Sequence, residues 1–142
     1  MNDGSFAPNR IRVLVVDDEH SIADTLSLIL KQHGFDTATA YCGATAVRAA
    51  LLWNPDLLLT DVVMPGMNGI EAALCIRATN PKCKILMFSG HSLSDENLSA
   101  CQSLGERNFR FLQKPLHPDA LLDALRALLL SDAPATPLEP AV

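Results

Sequence analysis

Apolar positions along this chain keep two periods in turn. Short unbroken runs, IRVLVV at residues 11–16 and LLLT at 57–60, carry almost no polar interruption. Such runs mark strands buried on both faces, as in a parallel sheet. ILMF at 85–88 and FRFL at 109–112 read as further strands, and FDTATA at 35–40, less apolar, as a strand nearer an edge.

Between these runs the period lengthens to that of a helix face. From His20 to His33 the apolar residues Ile22, Leu26, Ile29 and Leu30 share one side, and Gly34 offers a left-handed cap. Gly43–Trp53 carries Ala44, Val47, Ala50 and Leu51 on one side and stops at Asn54-Pro55. A third helix is expected from Gly69 or Ile70 to about Thr79, with Ile70, Leu74 and Ile76 inside. A fourth starts near Ser92 or Ser94, with Asp95 and Glu96 in its first turn, and ends at Leu104-Gly105. Pro118 suits the first turn of a last helix, Pro118 to about Leu130.

Strand and helix thus alternate five times, which predicts an α/β domain: a parallel sheet with helices on both faces and right-handed crossovers. A length of 142 residues suits one domain. Its expected extent is 10–131, preceded by a loose polar arm at 1–9 and followed by a Pro/Ala-rich tail or linker stub at 132–142.

Composition narrows the functional classes. Hydrophobic residues make up 49% and charged residues 19%, enough apolar material for a full core. A net charge of −5 argues against a nucleic-acid surface, which needs a basic patch. No run is long and apolar enough to span a membrane, and the first ten residues hold no signal-peptide core, so a cytoplasmic location is expected. The four cysteines, Cys42, Cys75, Cys83 and Cys101, form no CxxC and read as small buried or half-buried side chains, not as a metal or redox centre.

Candidate chemistry gathers at the strand ends. In a parallel sheet the carboxyl ends of the strands share one edge, where open α/β sheets bind ligands. The first strand delivers Asp17 and Asp18, the third Asp61, the fourth Ser89 and the fifth Lys114. Each has a plain reading alone: acids can cap a helix, Asp61 or Ser89-Gly90 can serve a turn, and Lys114 can be a solvated strand end. Together they place three acids, a hydroxyl and an ammonium in one crevice. Clustered carboxylates repel unless a divalent cation neutralises them, and few hard oxygen ligands suit Mg²⁺. A carboxylate beside such a cation and a lysine can attack a phosphoryl group and become an acyl phosphate. The hydroxyl can then bond a phosphoryl oxygen.

The segments VLVVDDE, TDVVMPGMNG, MFSG and FLQKP together resemble the receiver domain of two-component response regulators, of the chemotaxis-receiver kind, over residues 11 to about 130. The resemblance implies a doubly wound (βα)5, flavodoxin-like sheet in the order 2-1-3-4-5. It implies that Asp61 is the phosphoryl acceptor, that Asp18 binds Mg²⁺ (or Mn²⁺) directly and Asp17 through water, and that the Val63 carbonyl completes the metal site. Ser89 would be the switch hydroxyl, Lys114 the phosphate-binding lysine, Pro115 the residue after a cis peptide, and Phe111 the switch aromatic. The implied donor is a histidine kinase or histidine phosphotransfer protein. The implied output is a change in the face built by the fourth helix, fifth strand and fifth helix. No enzymatic turnover beyond the domain's own phosphorylation and dephosphorylation is implied, and no contact with nucleic acid or membrane.

Three other readings compete. An Asp-nucleophile phosphatase of the haloacid dehalogenase type needs an acid two residues after the nucleophile, where this chain has Val63. A flavin domain needs a Ser/Thr/Gly-rich loop after the first strand, where this chain has Asp17-Asp18-Glu19. A receiver-like scaffold or dimerisation module that takes no phosphate lacks the motive for keeping the whole set. Two departures from the family pattern stand out. The connection through Glu106-Arg107-Asn108 is about two residues longer than usual, and Leu121, Leu122, Leu125, Leu128, Leu129 and Leu130 form an arc wide enough for a homodimer contact. Val63 and His91 stand where the family tunes hydrolysis, and Val63 cannot orient water, which points to a long-lived phosphoryl group.

Overall fold

Strand and helix follow one another in the expected order in the computed structural model, which describes residues 10–105 and 108–130. The elements are β1 (Arg12–Val16), α1 (His20–Gln32), β2 (Asp36–Ala40), α2 (Gly43–Trp53), β3 (Leu57–Asp61), α3 (Gly69–Thr79), β4 (Lys84–Ser89), α4 (Asp95–Gln102), β5 (Phe109–Gln113) and α5 (Pro118–Leu130). All strand pairs are parallel and the sheet order is β2-β1-β3-β4-β5. The flavodoxin-like order implied by the sequence motifs is therefore present. The arm at 1–9, the tail at 132–142 and Glu106-Arg107 of the long connection lie outside the described residues.

Strand alternation divides the core in two. Val13, Val15, Leu57, Leu59, Leu86 and Phe88 face α1 and α5. Leu14, Val16, Leu58, Ile85 and Met87 face α2, α3 and α4. β1, β3 and β4 sit in the middle of the sheet, which is why their sequences are unbroken apolar runs. β2 is an edge strand and only its last residue, Ala40, is buried.

Several helices keep part of the face marked by their larger apolar residues but shift the buried side toward small ones. α2 buries Gly43, Ala46 and Ala50, while Ala44 is exposed and Leu51 is 55% exposed. α3 buries Ala72 and Ala73 beside Ile70 and Ile76, and leaves Leu74 partly in solvent. α1 buries Ala23 and Ser27 with Leu26 and Leu30, and Ile22 and Ile29 are only half-buried. Small residues let these helices approach their neighbours closely, so alanine and glycine set the phase. At Gly43, for example, an added Cβ would overlap the Met67 carbonyl.

α5 resolves differently. Leu121, Leu122, Leu125 and Leu128 are buried against the sheet, Leu129 is half-buried and Leu130 is exposed. The wide leucine arc is mostly core contact. Among the cysteines, Cys83 and Cys101 are buried and Cys42 half-buried, but Cys75 is exposed on α3. Among the described residues, no helix is long and apolar enough to cross a membrane.

Candidate functional site

The carboxyl edge of the sheet collects the expected side chains. Asp17 follows β1, Asp61 closes β3, Ser89 closes β4 and Lys114 follows β5. One carboxylate oxygen from each of Asp17, Asp18 and Asp61 lies within 4.8 Å of the others. Lys114 reaches over from the next strand but one, its Nζ 3.6 Å from Asp61 Oδ2 and 3.8 Å from Asp17 Oδ2. The same ammonium stands 5.2 Å from the centre of the Phe88 ring, a cation–π distance.

Local structure explains how each group is aimed. Asp17 is fully buried, and its Oδ1 accepts the Glu19 amide at 2.9 Å, so it does form a turn. Its Oδ2 is buried with no hydrogen-bond partner. Glu19 sits at the start of α1 without a side-chain cap, so the acids do not act as that helix's caps. Asp18 is exposed and Asp61 is 6% exposed. Capping of α3 falls to Asn68, which accepts the Glu71 amide while Glu71 accepts the Asn68 amide, a reciprocal capping box. Asp61 is thereby not needed to cap α3, although backbone hydrogen bonds at Val63 and Val62 act on its carboxylate.

Electrostatics follow from burial. Desolvation pushes the Asp17 carboxyl up to about 6; the Glu19 amide opposes this and the nearby Asp61 charge adds to it. Desolvation also raises Asp61, against the pull of Lys114. One ammonium does not offset three acids here. A buried carboxylate oxygen without a donor, among hard oxygen ligands only, is the chemistry a divalent cation satisfies, so these residues fit a metal.

The remaining candidates sit nearby but apart. Ser89 is 2% exposed and its Oγ accepts the His91 amide at 3.2 Å. Phe111 lies on β5 opposite Met87, half-buried against the α2–α3–α4 side of the core. Val63 is an exposed side chain two residues after Asp61. The Lys114–Pro115 peptide is cis, as the family resemblance implies. Three features were not foreseen. His20 stacks on Tyr41 at 3.7 Å between ring centres, and the Tyr41 hydroxyl donates to Asp24, tying α1 to the end of β2. A groove of about 630 Å³, lined by Ile22, Leu26, Phe88, Lys114, Pro115 and Leu116, shares Lys114 with the acid site. Thr60 places a hydroxyl inside an otherwise apolar strand next to Asp61, a signal visible in the sequence itself.

A 2-1-3-4-5 parallel sheet with an acid cluster facing a lysine on its carboxyl edge defines the class of receiver domains. Residues 13–126 match the family model of the response regulator receiver domain, and the chain belongs to that family, the receivers of two-component systems. Among curated proteins it is similar to the DNA-binding response regulator MtrA of Mycolicibacterium paratuberculosis, 35% identical over 120 residues, covering 84% of this chain and 52% of that protein. The chain spans about half the length of the curated relatives it matches. Among solved structures, the chemotaxis protein CheY4 of Vibrio cholerae is 30% identical with a TM-score of 0.76, covering 84% of this chain and 98% of that one. A CheY-like receiver domain protein of Methanospirillum hungatei is 27% identical with a TM-score of 0.75, covering 87% of this chain and 98% of that one.

Proposed function

We propose that the domain accepts a phosphoryl group on Asp61 from a histidine kinase or histidine phosphotransfer protein, and that the new charge switches its α4–β5–α5 face to control a partner or output domain. The observation that carries this reading is the meeting of Asp17, Asp18 and Asp61 within 4.8 Å, with Lys114 Nζ 3.6 Å from Asp61 Oδ2. Asp17, Asp18, Asp61 and the Val63 carbonyl would hold Mg²⁺ (or Mn²⁺). The cation, when bound, supplies positive charge to offset the acids and the phosphoryl oxygens.

The chain's own groups divide the work. A carboxylate oxygen of Asp61 attacks phosphorus; the new O–P bond forms as the P–N bond to the donor imidazole breaks, and the imidazole leaves with the electron pair. Lys114, already beside Asp61 Oδ2, pairs with a phosphoryl oxygen. Ser89 turns its hydroxyl from the His91 amide toward the phosphoryl group. The space it leaves favours an inward Phe111, two positions further down the β4–β5 ladder. The apolar groove between α1 and Pro115-Leu116, which shares Lys114 with the acid site, offers the donor a seat.

We read the chain as no general phosphatase, because an exposed Val63 stands where a general acid would be needed. The same side chain supports a slow loss of the phosphoryl group. The domain is taken to work in the cytoplasm. With the α5 leucines mostly buried, self-association falls to the α4–β5–α5 face, where Leu98 is exposed; a monomeric mass across the micromolar range, with and without phosphoryl mimic, would count against it. Beryllium fluoride with Mg²⁺ should shift the amide signals of Ser89, Phe111 and Lys114. An unchanged spectrum at saturation contradicts the switch.

A further inference from the structure

Thr60 is the polar residue of β3 that the proposed chemistry leaves unused. It is fully buried, and strand alternation turns it to the side of Leu58, toward the α2–α3–α4 core. Its hydroxyl donates to the backbone carbonyl of Asp61 at 2.9 Å. The same carbonyl lies against Gly69 at the start of α3: a Cβ on Gly69 would overlap it and would stand 3.1 Å from Thr60 Oγ1. The following peptide groups are held as well. Val62 N–H donates to the Phe88 carbonyl at 3.0 Å, and Gly69 N–H donates to the Val62 carbonyl at 2.9 Å. The peptide that leaves Asp61 is therefore gripped on both edges, its C=O by Thr60 and its N–H by β4.

A buried hydroxyl needs a partner, and many core acceptors would serve. This one is bonded to the backbone of the residue whose side chain must face Asp17, Asp18 and Lys114. We infer that Thr60 is a positioning residue for Asp61: its hydroxyl sets the tilt of the peptide between Asp61 and Val62, and through that peptide the direction of the Asp61 carboxylate. The inference rests on the reading of Asp61 as phosphoacceptor. Reacting groups displaced by about an ångström lose up to roughly a hundredfold in rate, so a small tilt is enough to matter.

Two kinds of variant separate positioning from packing. Thr60→Val, with Thr60→Ala as a second hydroxyl-free form, removes the donor; Thr60→Ser keeps the donor and removes a methyl. Three quantities are read on each: the initial rate of Asp61 phosphorylation by acetyl phosphate at saturating Mg²⁺, the Mg²⁺ dissociation constant from amide shifts, and the thermal unfolding midpoint. Thr60→Val is expected to slow phosphorylation about tenfold and to weaken Mg²⁺ about threefold, with Thr60→Ser within about twofold of the parent even where its midpoint is lower. Rates that follow the unfolding midpoint, or a Thr60→Val protein that matches the parent on both readouts, overturn the inference. A parent that takes no phosphoryl group refutes the phosphoacceptor reading instead. The Mg²⁺ constants then decide the positioning role: weaker binding only in the hydroxyl-free variants upholds it, and equal binding overturns it.

Discussion

The two sides of the carboxyl edge are built to different standards. On the β1–β3 side, Val13 to Asp17 and Leu57 to Val62 are buried without a break, and α3 begins with Gly69 pressed on the Asp61 carbonyl. On the α4–β5 side, α4 buries only Cys101 of its own residues, and β5 reads half-buried or exposed at every position. α4 is held at its far end: the Leu104 carbonyl accepts from Arg77 Nη1 at 3.3 Å and from Asn108 Nδ2 at 3.2 Å, and Asn108 Oδ1 accepts from the buried Lys84 at 2.9 Å. Its first turns, next to Ser89, bury nothing. The contrast teaches where a signal can travel. The acids stand at the ends of the firmly packed strands, Lys114 reaches them from the end of β5, and the proposed response falls on the side with few buried contacts, where local opening costs least.

The largest expected effect tests the rigid side. Gly69→Ala forces a methyl into the Asp61 carbonyl and should cost about 3 kcal/mol of unfolding free energy in urea. A loss below about 1 kcal/mol would mean that this floor gives way and that the contrast is overstated.

Asp17→Asn should move stability the other way. The folded-state carboxyl, raised to about 6 from 3.8, binds its proton more tightly than the unfolded one. Its stabilising share is therefore complete below the unfolded value and is lost as pH rises through about 6. In EDTA at pH 7.5 the asparagine variant should be more stable than the parent by roughly 2 kcal/mol, with the gain gone below pH 4. A variant less stable at both pH values would show that the buried charge is already satisfied without metal.

Smaller effects belong to the loose side. Asn108→Ala should cost about 1 kcal/mol and speed amide exchange at Leu104 and Gly105 while β1 and β3 stay protected. Leu98→Ala, at a 43% exposed position on α4, should change stability by less than about 0.5 kcal/mol. A larger loss there would mean that α4 is docked more firmly than its burial implies.

Element order and the chemistry at the strand ends were legible in the sequence because both depend on strong signals. Unbroken runs such as LLLT and ILMF mark central strands, and Asp17, Asp18, Asp61, Ser89 and Lys114 all fall within two residues of the end of the runs that carry them. Helix phase was less legible. Weighting large residues placed Leu51 and Leu74 inside, yet Ala46 and Ala72 occupy those faces, because close helix packing selects small side chains that carry little hydrophobic signal. The grip of Thr60 and Gly69 on the Asp61 carbonyl was out of reach for another reason: it depends on the path of the turn between β3 and α3, which no periodicity encodes.

The central claim is that Asp61 is the phosphoacceptor and that the acids around it require a divalent cation. Acetyl phosphate offered to the parent and to Asp61→Asn, each with Mg²⁺ and with EDTA, tests it most directly, with intact mass as the readout. The expected result is one base-labile phosphoryl group on the parent in Mg²⁺ only, and none on Asp61→Asn, which should unfold cooperatively like the parent. Labelling of Asp61→Asn at the parental rate, or labelling of the parent undiminished in EDTA, would contradict it.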